Sequence, residues 1–341
     1  RRRRAGPVLP AAGVRGNRED WCTMTNLPSV IDLVTLGEAL TVFKAPGGVA
    51  FRRSSSLLRF TAGAEVNVAV ACARLGLRTA FIGRVGADLG GEAVLDDLRC
   101  EGVDHRAVVL DDSAATGAIV RETTPSGARV SYLRRGSAGS RMCEADLPAP
   151  LIAGARAVHV SGVTAALSDS ARQAARRFIA MARQEQAMTS FDINHRSRLW
   201  SEEEAAPVLR DLAQGHDLLV GGRAEMMMVF GTDQADQVRQ LSGSAVVVVT
   251  DGPGPVRVAD ASGSWQEFPT QVIVVDPVGA GDALVGGILA GLLGGLDVAL
   301  AVKQGMQCGA AVVQAVGDWT GLPWGQRGLL HPGSGDGQVH R

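Results

Sequence analysis

Residues 276–282 read Asp-Pro-Val-Gly-Ala-Gly-Asp and run directly into the apolar segment ALVGGILAGLL. The small residues Gly279, Ala280 and Gly281 let consecutive backbone N–H groups converge on one point with no side chains in the way. A helix that starts there adds the partial positive charge of its N-terminus, so the turn is suited to hold an anion. Asp282 is no ligand for an anion, because its carboxylate would repel one. A base set against an anion hole is instead what deprotonation of a hydroxyl during phosphoryl transfer requires. The alternative is a turn that caps a buried helix, with Asp282 as a partner for the helix dipole. The preceding run QVIVV (271–275) reads as a strand, and the sequence strand, loop, helix favours the chemical reading.

A turn of this kind needs a scaffold, and the rest of the chain supplies the pattern of one. VIDLVTLGEALTVF (30–43) reads as one strand of continuous apolar character, as in a sheet covered on both faces. A helix is predicted over 65–76, a strand over 79–86 and a helix over 90–102 with a glycine stop. GAIVRET and ARVSYLRR (117–123 and 128–135), joined by TPSG, alternate and predict a hairpin. Strands follow near 156–160, 188–192, 217–221, 245–250 and 271–275. Helices follow near 169–185, 202–213, 283–293 and 297–315. Alternating β and α elements imply an α/β fold of three layers, with a mainly parallel central sheet and helices on both faces. The early hairpins fall outside that rhythm and predict a small β-sheet lid over the strand ends, formed by about 38–60 and 107–135. The domain is expected to span 29–324, with a disordered extension over 1–28, in which Met24 is a plausible start, and a flexible tail over 325–341. No internal repeat is visible.

Composition narrows the function. The 341 residues carry 34 Lys+Arg and 35 Asp+Glu, a formal net charge of −1, so no global basic field addresses nucleic acid. The five cysteines (22, 72, 100, 143, 308) are scattered and form no CxxC pair. This points away from a disulfide framework or zinc site and toward a reducing cytoplasm. The uncharged, glycine-rich run 283–296 is too short to span a bilayer, and the N-terminal segment lacks the apolar core of a secretion signal. The only lysines, Lys44 and Lys303, do not follow a glycine, so a GxxxxGK[ST] loop is absent; HExxH, GxSxG and a GxGxxG after the first strand are absent too. A nucleotide triphosphate would therefore be held by backbone N–H groups, arginine and metal.

On these residues the chain resembles the PfkB (ribokinase-like) carbohydrate kinases over about residues 30–323. TAGAEVNVAVACARLG (61–76) with FIGRVGADLGG (81–91) is similar to the N-terminal family pattern, and Asp276–Asp282 to the more specific C-terminal one. The resemblance implies ATP-dependent phosphorylation of a sugar hydroxyl, with Asp282 as base and Gly279, Ala280 and Gly281 as anion hole. Within the family, GAEVN (63–67), YLRRGSA (132–138), DINHR (192–196) and GDWTGLP (317–323) are similar to the 2-keto-3-deoxygluconate kinases. That likeness implies that Gly63, Ala64, Glu65 and Asn67 line the sugar site and that Tyr132 and Arg134 reach down from the lid. It places Asn194 and Arg196 between the phosphates and the substrate acid, and gives Asp318 a hydrogen bond from a sugar hydroxyl. Thr250, Gly252 and Gly254 would lie near ATP, together with Asn194, Arg196, Gly279 and Gly281. Glu225 would position Mg²⁺ through water; a monovalent cation stays open as a further cofactor. The exposed edges of the lid sheet, not the resemblance, suggest a homodimer or higher homo-oligomer through the lid as the partner arrangement.

The chain departs from the family pattern in four places. Ala62-Gly63 stands where Gly-Gly is common, Gly222-Arg-Ala-Glu225 keeps the acid of NxxE and loses the amide, GxxG is shortened to Gly252-Pro-Gly254, and Val278 stands where many members have Thr. The residues also speak for themselves. On an alternating strand Tyr132 and Arg134 share a face, and arginine binds carboxylates bidentately. Arg134 and Arg196 thus favour an acid, and the resemblance implies phosphorylation of 2-keto-3-deoxygluconate at its terminal hydroxyl to the 6-phosphate as the expected reaction. A solvated Arg134 on an exposed strand face, and an Arg196 that merely pairs with Asp192, remain open alternatives. So do a kinase of fructose or 5-keto-2-deoxygluconate, and a non-catalytic sugar-binding regulator.

Overall fold

The computed structural model describes residues 30–124 and 127–324. The predicted extension and tail, and Pro125 and Ser126 of the hairpin loop, lie outside these residues. Among the described residues two sheets form. The strands are β1 (Ile31–Leu36), β2 (Leu40–Lys44), β3 (Leu58–Ala62), β4 (Thr79–Gly86), β5 (Val108–Asp111), β6 (Ala118–Thr124), β7 (Gly127–Leu133), β8 (Ala155–Ser161), β9 (Met188–Asp192), β10 (Leu218–Gly222), β11 (Val246–Thr250), β12 (Val256–Asp260) and β13 (Gly263–Glu267). The helices are α1 (Ala64–Arg74), α2 (Leu89–Cys100), α3 (Ala149–Ala153), α4 (Gly162–Leu167), α5 (Asp169–Gln184), α6 (Glu202–Leu212), α7 (Arg223–Phe230), α8 (Ala235–Ser242), α9 (Ala280–Leu293) and α10 (Val298–Val312).

The larger sheet has the order β13-β12-β11-β10-β9-β8-β1-β4-β5. It is parallel from β11 to β5, and β12 and β13 continue it antiparallel at one edge. The chain enters at β1, builds outward through β4 and β5, then returns to place β8 on the other side of β1. The strand order reverses there, and the carboxyl ends of strands around such a point are where open α/β sheets bind ligands.

Side-chain alternation divides the core into two layers. Leu33, Leu218, Val220 and Val248 face α1, α9 and α10. Val34, Leu36, Phe191 and Val249 face α3 to α8. The buried residues of α5, Ala171, Ala174, Ala175, Phe178, Ile179 and Ala182, recur at helical spacing. Helix α9 is buried nearly all round, and its glycines are the reason it fits. A Cβ on Gly286 would lie 2.5 Å from the Cβ of Ala71 in α1, and one on Gly287 would lie 2.6 Å from the Cα of Gly305 in α10. No helix among the described residues is long and apolar enough to cross a membrane.

The second sheet has the order β3-β2-β6-β7. Its β6–β7 hairpin forms as predicted, with Ile119 opposite Tyr132. Three expectations need correction. Residues 30–43 are not one strand: the chain breaks at Gly37–Ala39, so β1 joins the large sheet and β2 the small one. Both strands are buried, so apolar character alone cannot tell one sheet from the other. Residues 271–275 form no strand, and Ile273, Val274 and Val275 are 84%, 58% and 55% exposed. The β12–β13 hairpin, not among the predicted elements, occupies that edge of the sheet, and the N–H groups of Val275 and Asp276 donate to the Val313 carbonyl instead. Residues 107–117 do not belong to the small sheet either, since β5 closes the far edge of the large one.

Candidate active site

A cleft of about 1400 Å³ opens between the second sheet, the N-termini of α1 and α9, and the carboxyl ends of β9, β10 and β11. Its floor is built by two helix starts. Gly279 caps α9 in the left-handed region at φ +82°. A Cβ there would lie 2.2 Å from the main-chain oxygen of Asp318, so only glycine fits. At Gly281 a Cβ would meet nothing within 4 Å, and Gly279, Ala280 and Gly281 all border the cleft. The first N–H groups of a helix have no intrahelical acceptor, so the first turn of α9 offers a bare anion cradle. Across from it, Gly63 precedes α1 at φ +150°, and a Cβ there would lie 2.2 Å from the Glu38 carbonyl oxygen. Gly63 and Ala64 border the cleft, and the first turn of α1 carries Asn67 into it.

Asn67 joins two other predicted residues. Its Nδ2 donates to Asp282 Oδ2 at 2.6 Å and to Asp318 Oδ2 at 3.4 Å, and all three side chains border the cleft. Asn67 Oδ1 has no partner among the described residues. Burial pushes the Asp282 carboxyl up from 3.8 to about 7; the Asn67 hydrogen bond and the Arg196 charge oppose this, while Asp318 and Glu65 add to it. Burial raises Asp318 as well, against the pull of Arg121 and Asn67. Asp192, at the end of β9, is raised well above its ordinary value by burial and by the nearby charges of Glu225 and Asp282. The cleft floor is therefore an acidic cluster whose carboxyls hold their protons more tightly than usual.

Two predicted residues do not reach the cleft. Glu65 is fully buried, and its Oε1 accepts from the Ser161 N–H at 3.0 Å, Ser161 Oγ at 2.7 Å and Thr164 Oγ1 at 2.7 Å. Residues two apart on a helix are about 200° apart around the axis, so Asn67 and Glu65 face opposite ways. Gly254 closes a turn, donating to the Asp251 carbonyl at 2.8 Å, while Thr250, Asp251 and Gly252 border the cleft. With the loop shortened, Gly254 falls behind Gly252.

The segment after β9 supplies Asn194 and Arg196. Asn194 sits at φ +38° with Nδ2 3.1 Å from Asp192 Oδ2. Glu225 fixes this segment: its Oε1 accepts from the His195 N–H at 2.7 Å and its Oε2 from the Gly222 N–H at 2.6 Å. Both carboxylate oxygens thus hold backbone, as the third residue of a helix often does. Arg196 is exposed, borders the cleft and has no ion pair among the described residues, so it acts on Asp192 and Asp282 only as a nearby charge.

Tyr132 and Arg134 also border the cleft. Arg134 lies just past the end of β7, and its guanidinium pairs with Glu38, whose other oxygen accepts from Ser137 Oγ at 2.5 Å. It is neither solvated nor a free charge, since a buried carboxylate neutralises it. The Tyr132 ring has the Arg134 guanidinium 5.8 Å from its centre and that of Arg198 5.9 Å away.

Residues that sequence reasoning missed are Glu38, Arg198 and Arg121. Arg121 carries a usable signal, because it alternates with Ile119 on β6 and both border the cleft. Glu38 and Arg198 carry none, since their neighbours come from distant segments. Among the described residues no group of three His, Cys, Asp or Glu could hold a metal unaided.

Comparison with known proteins agrees with this architecture. Residues 31–325 match the profile of the pfkB family carbohydrate kinases. The chain is 34% identical to a 2-dehydro-3-deoxygluconokinase of Thermoproteus tenax over 89% of this chain and 96% of that one. It is 33% identical to a 2-dehydro-3-deoxygluconokinase of Bacillus subtilis (strain 168), over 86% of this chain and 93% of that one. Among solved structures, a PfkB protein from Polaromonas sp. JS666 superposes with a TM-score of 0.78 at 34% identity, covering 84% of this chain and 97% of the other. With its amide cradle, its buried acid and this kinship over nearly the whole described chain, the protein belongs to the pfkB family of carbohydrate kinases.

Proposed function

We propose that the protein transfers the γ-phosphoryl group of ATP to the terminal hydroxyl of a 2-keto-3-deoxy sugar acid, with 2-keto-3-deoxygluconate as acceptor and its 6-phosphate as product. The observation that carries this reading is the meeting of Asp282 with the Gly279–Gly281 cradle on one cleft that also holds Arg196, which has no ion pair among the described residues. A carboxyl that titrates at about 7 is matched to removing a hydroxyl proton near neutrality. Arg196 has a charge to offer a substrate carboxylate, which a neutral sugar would leave unmatched. The names of the two relatives fit the same acceptor.

In this reading ATP lies along the ends of β10 and β11, over Thr250 and Gly252, with its γ-phosphate at the cradle. The acid lies under the second sheet beside Tyr132, its carboxylate toward Arg196. Asn67 holds Asp282 in place, and Asp282 takes the hydroxyl proton as that oxygen attacks phosphorus. The amides of the cradle stabilise charge on the phosphoryl oxygens, and the second sheet covers the site against water.

Mg²⁺ fits as an ion carried mainly by the nucleotide phosphates. The raised Asp192, crowded by Glu225 and Asp282, is an excess of acid that a cation would relieve. Asp192 directly, and Glu225 through water, would face it; when bound, it would neutralise phosphate charge. The edges of the second sheet, β3 and β7, expose Leu58 and Leu133, and a second copy of the chain would cover them.

Coupled ADP release across acidic and neutral sugars tests the reading. Turnover with 2-keto-3-deoxygluconate well above that with fructose supports it. Faster turnover with fructose or 5-keto-2-deoxygluconate would replace the substrate, and no ADP with any sugar would leave a sugar-binding regulator.

A further inference from the structure

A buried ionic cluster is left unused by the reaction just described. Lys44, at the end of β2, and Arg121, on β6, belong to the second sheet. Lys44 Nζ lies 2.8 Å from Asp276 Oδ2, and Arg121 Nη2 lies 2.6 Å from the same oxygen. Arg121 Nη1 lies 3.8 Å from Asp318 Oδ1. The side chains of all four residues are at most 8% exposed. Two cations and two carboxylates withdrawn from water are tolerable only while they satisfy one another, so the cluster resists being pulled apart.

The cluster ties the second sheet to the catalytic floor. Asp276 opens the loop that ends in the cradle, and its Oδ1 accepts from the Val278 N–H at 3.4 Å. Asp318 packs its main chain against Gly279, where a Cβ would meet its oxygen at 2.2 Å. Asp318 also shares the Asn67 amide with Asp282. A continuous set of contacts therefore runs from β2 and β6 through Asp276 and Asp318 to the cradle and to the base. The same sheet carries Tyr132 into the cleft, where the acceptor is proposed to lie. A tilt of the sheet cannot occur without moving the loop that receives the phosphate, unless a buried ion pair breaks.

We propose that Lys44 and Arg121 are positioning residues that couple acceptor binding under the second sheet to assembly of the phosphate cradle, so that acceptor and nucleotide each tighten binding of the other. The inference rests on the function proposed above for the identity of the two ligands. The coupling is a ratio of affinities and is reciprocal.

The test measures binding of the β,γ-imido analogue of ATP with and without 2-keto-3-deoxygluconate. In the unaltered protein the acid should tighten analogue binding about fivefold or more. In Arg121→Met and Lys44→Met the factor should fall to about one, and kcat should fall about 10²-fold, as for a misplaced reacting group. Arg121→Lys, which keeps a charge, should retain part of the factor. If Arg121→Met does not fold, Lys44→Met and Arg121→Lys carry the same test. Folded variants that melt earlier yet keep the factor would reduce the cluster to a structural brace and overturn the proposal, as would absence of tightening in the unaltered protein. Phosphorylation of the acid with an unchanged factor counts against the coupling alone; no ADP from any sugar counts against the proposed function.

Discussion

Replacing Asp282 with Asn separates the chemistry of this carboxylate from its contribution to the fold. The amide keeps the shape and can still accept from Asn67 Nδ2, which lies 2.6 Å from Oδ2 in the unaltered protein. It cannot accept a hydroxyl proton, so turnover should fall about 10²–10⁴-fold. Stability should move the other way. Burial lifts the Asp282 carboxyl from 3.8 to about 7. The folded protein therefore keeps a proton that the unfolded chain releases, and stability falls as pH rises through that window and levels off above it. At about 1.36 kcal/mol per pKa unit, carrying the ionised acid at pH 8 costs about 4 kcal/mol. The substituted amide does not titrate, so Asp282→Asn should gain almost nothing below pH 3.8 and about 4 kcal/mol by pH 8. Urea unfolding at pH 5 and pH 8 measures the difference, with the larger gain at pH 8. In the unaltered protein kcat/KM should rise about tenfold from pH 6 to pH 8, since a base titrating near 7 goes from mostly protonated to mostly ionised. Coupled ADP release, with coupling enzymes in excess at each pH, reads this. Turnover of the variant within a few-fold of normal, or an equal stability gain at both pH values, would refute the reasoning.

Other perturbations test the rest of the site. Arg196→Ala should raise KM for the keto acid by about 10–100-fold, the worth of a hydrogen bond to a charged group, and KM for ATP much less; equal shifts would argue against carboxylate recognition. Gly279→Ala forces a Cβ to within 2.2 Å of the Asp318 oxygen at φ +82°, so it should cost at least about 1–3 kcal/mol in denaturant unfolding and abolish most turnover; a stable, active variant would remove the cradle from its role. Glu225→Ala frees two backbone N–H groups at the cleft and should cost about 1–2 kcal/mol with a raised KM for ATP. A change in stability with no change in KM would confine Glu225 to capping.

Much of the fold was legible because its signals are local. The stop of α1 near Gly76, the stripe on α5 and the β6–β7 alternation each lie within a short window, where the periods of helix and strand express themselves directly. The motif proposed as a cradle stands out for the same reason, since its glycines, its helix start and the proposed base occupy seven consecutive residues. The run 271–275 shows the limit of that reasoning. Its β-branched residues favour a strand locally, but no partner edge was left for them, and strand formation is a property of pairs.

The broad alternation of α and β elements, the residue types of 276–282 and the absence of lysine-based phosphate loops were determined by the sequence alone, because each follows from neighbouring residue types. Tertiary structure decided which charges are spent and which remain. Asn67 and Asp282 are 215 positions apart and meet where α1 packs on α9, while Arg121 and Asp276 are 155 apart and meet where the second sheet reaches the loop before α9. The pairing of Arg134 with Glu38, and the turn of Glu65 into the core, were decided the same way. A charge acquires its role from the groups brought within a few ångströms of it in a medium that excludes water, and that proximity exists only after folding.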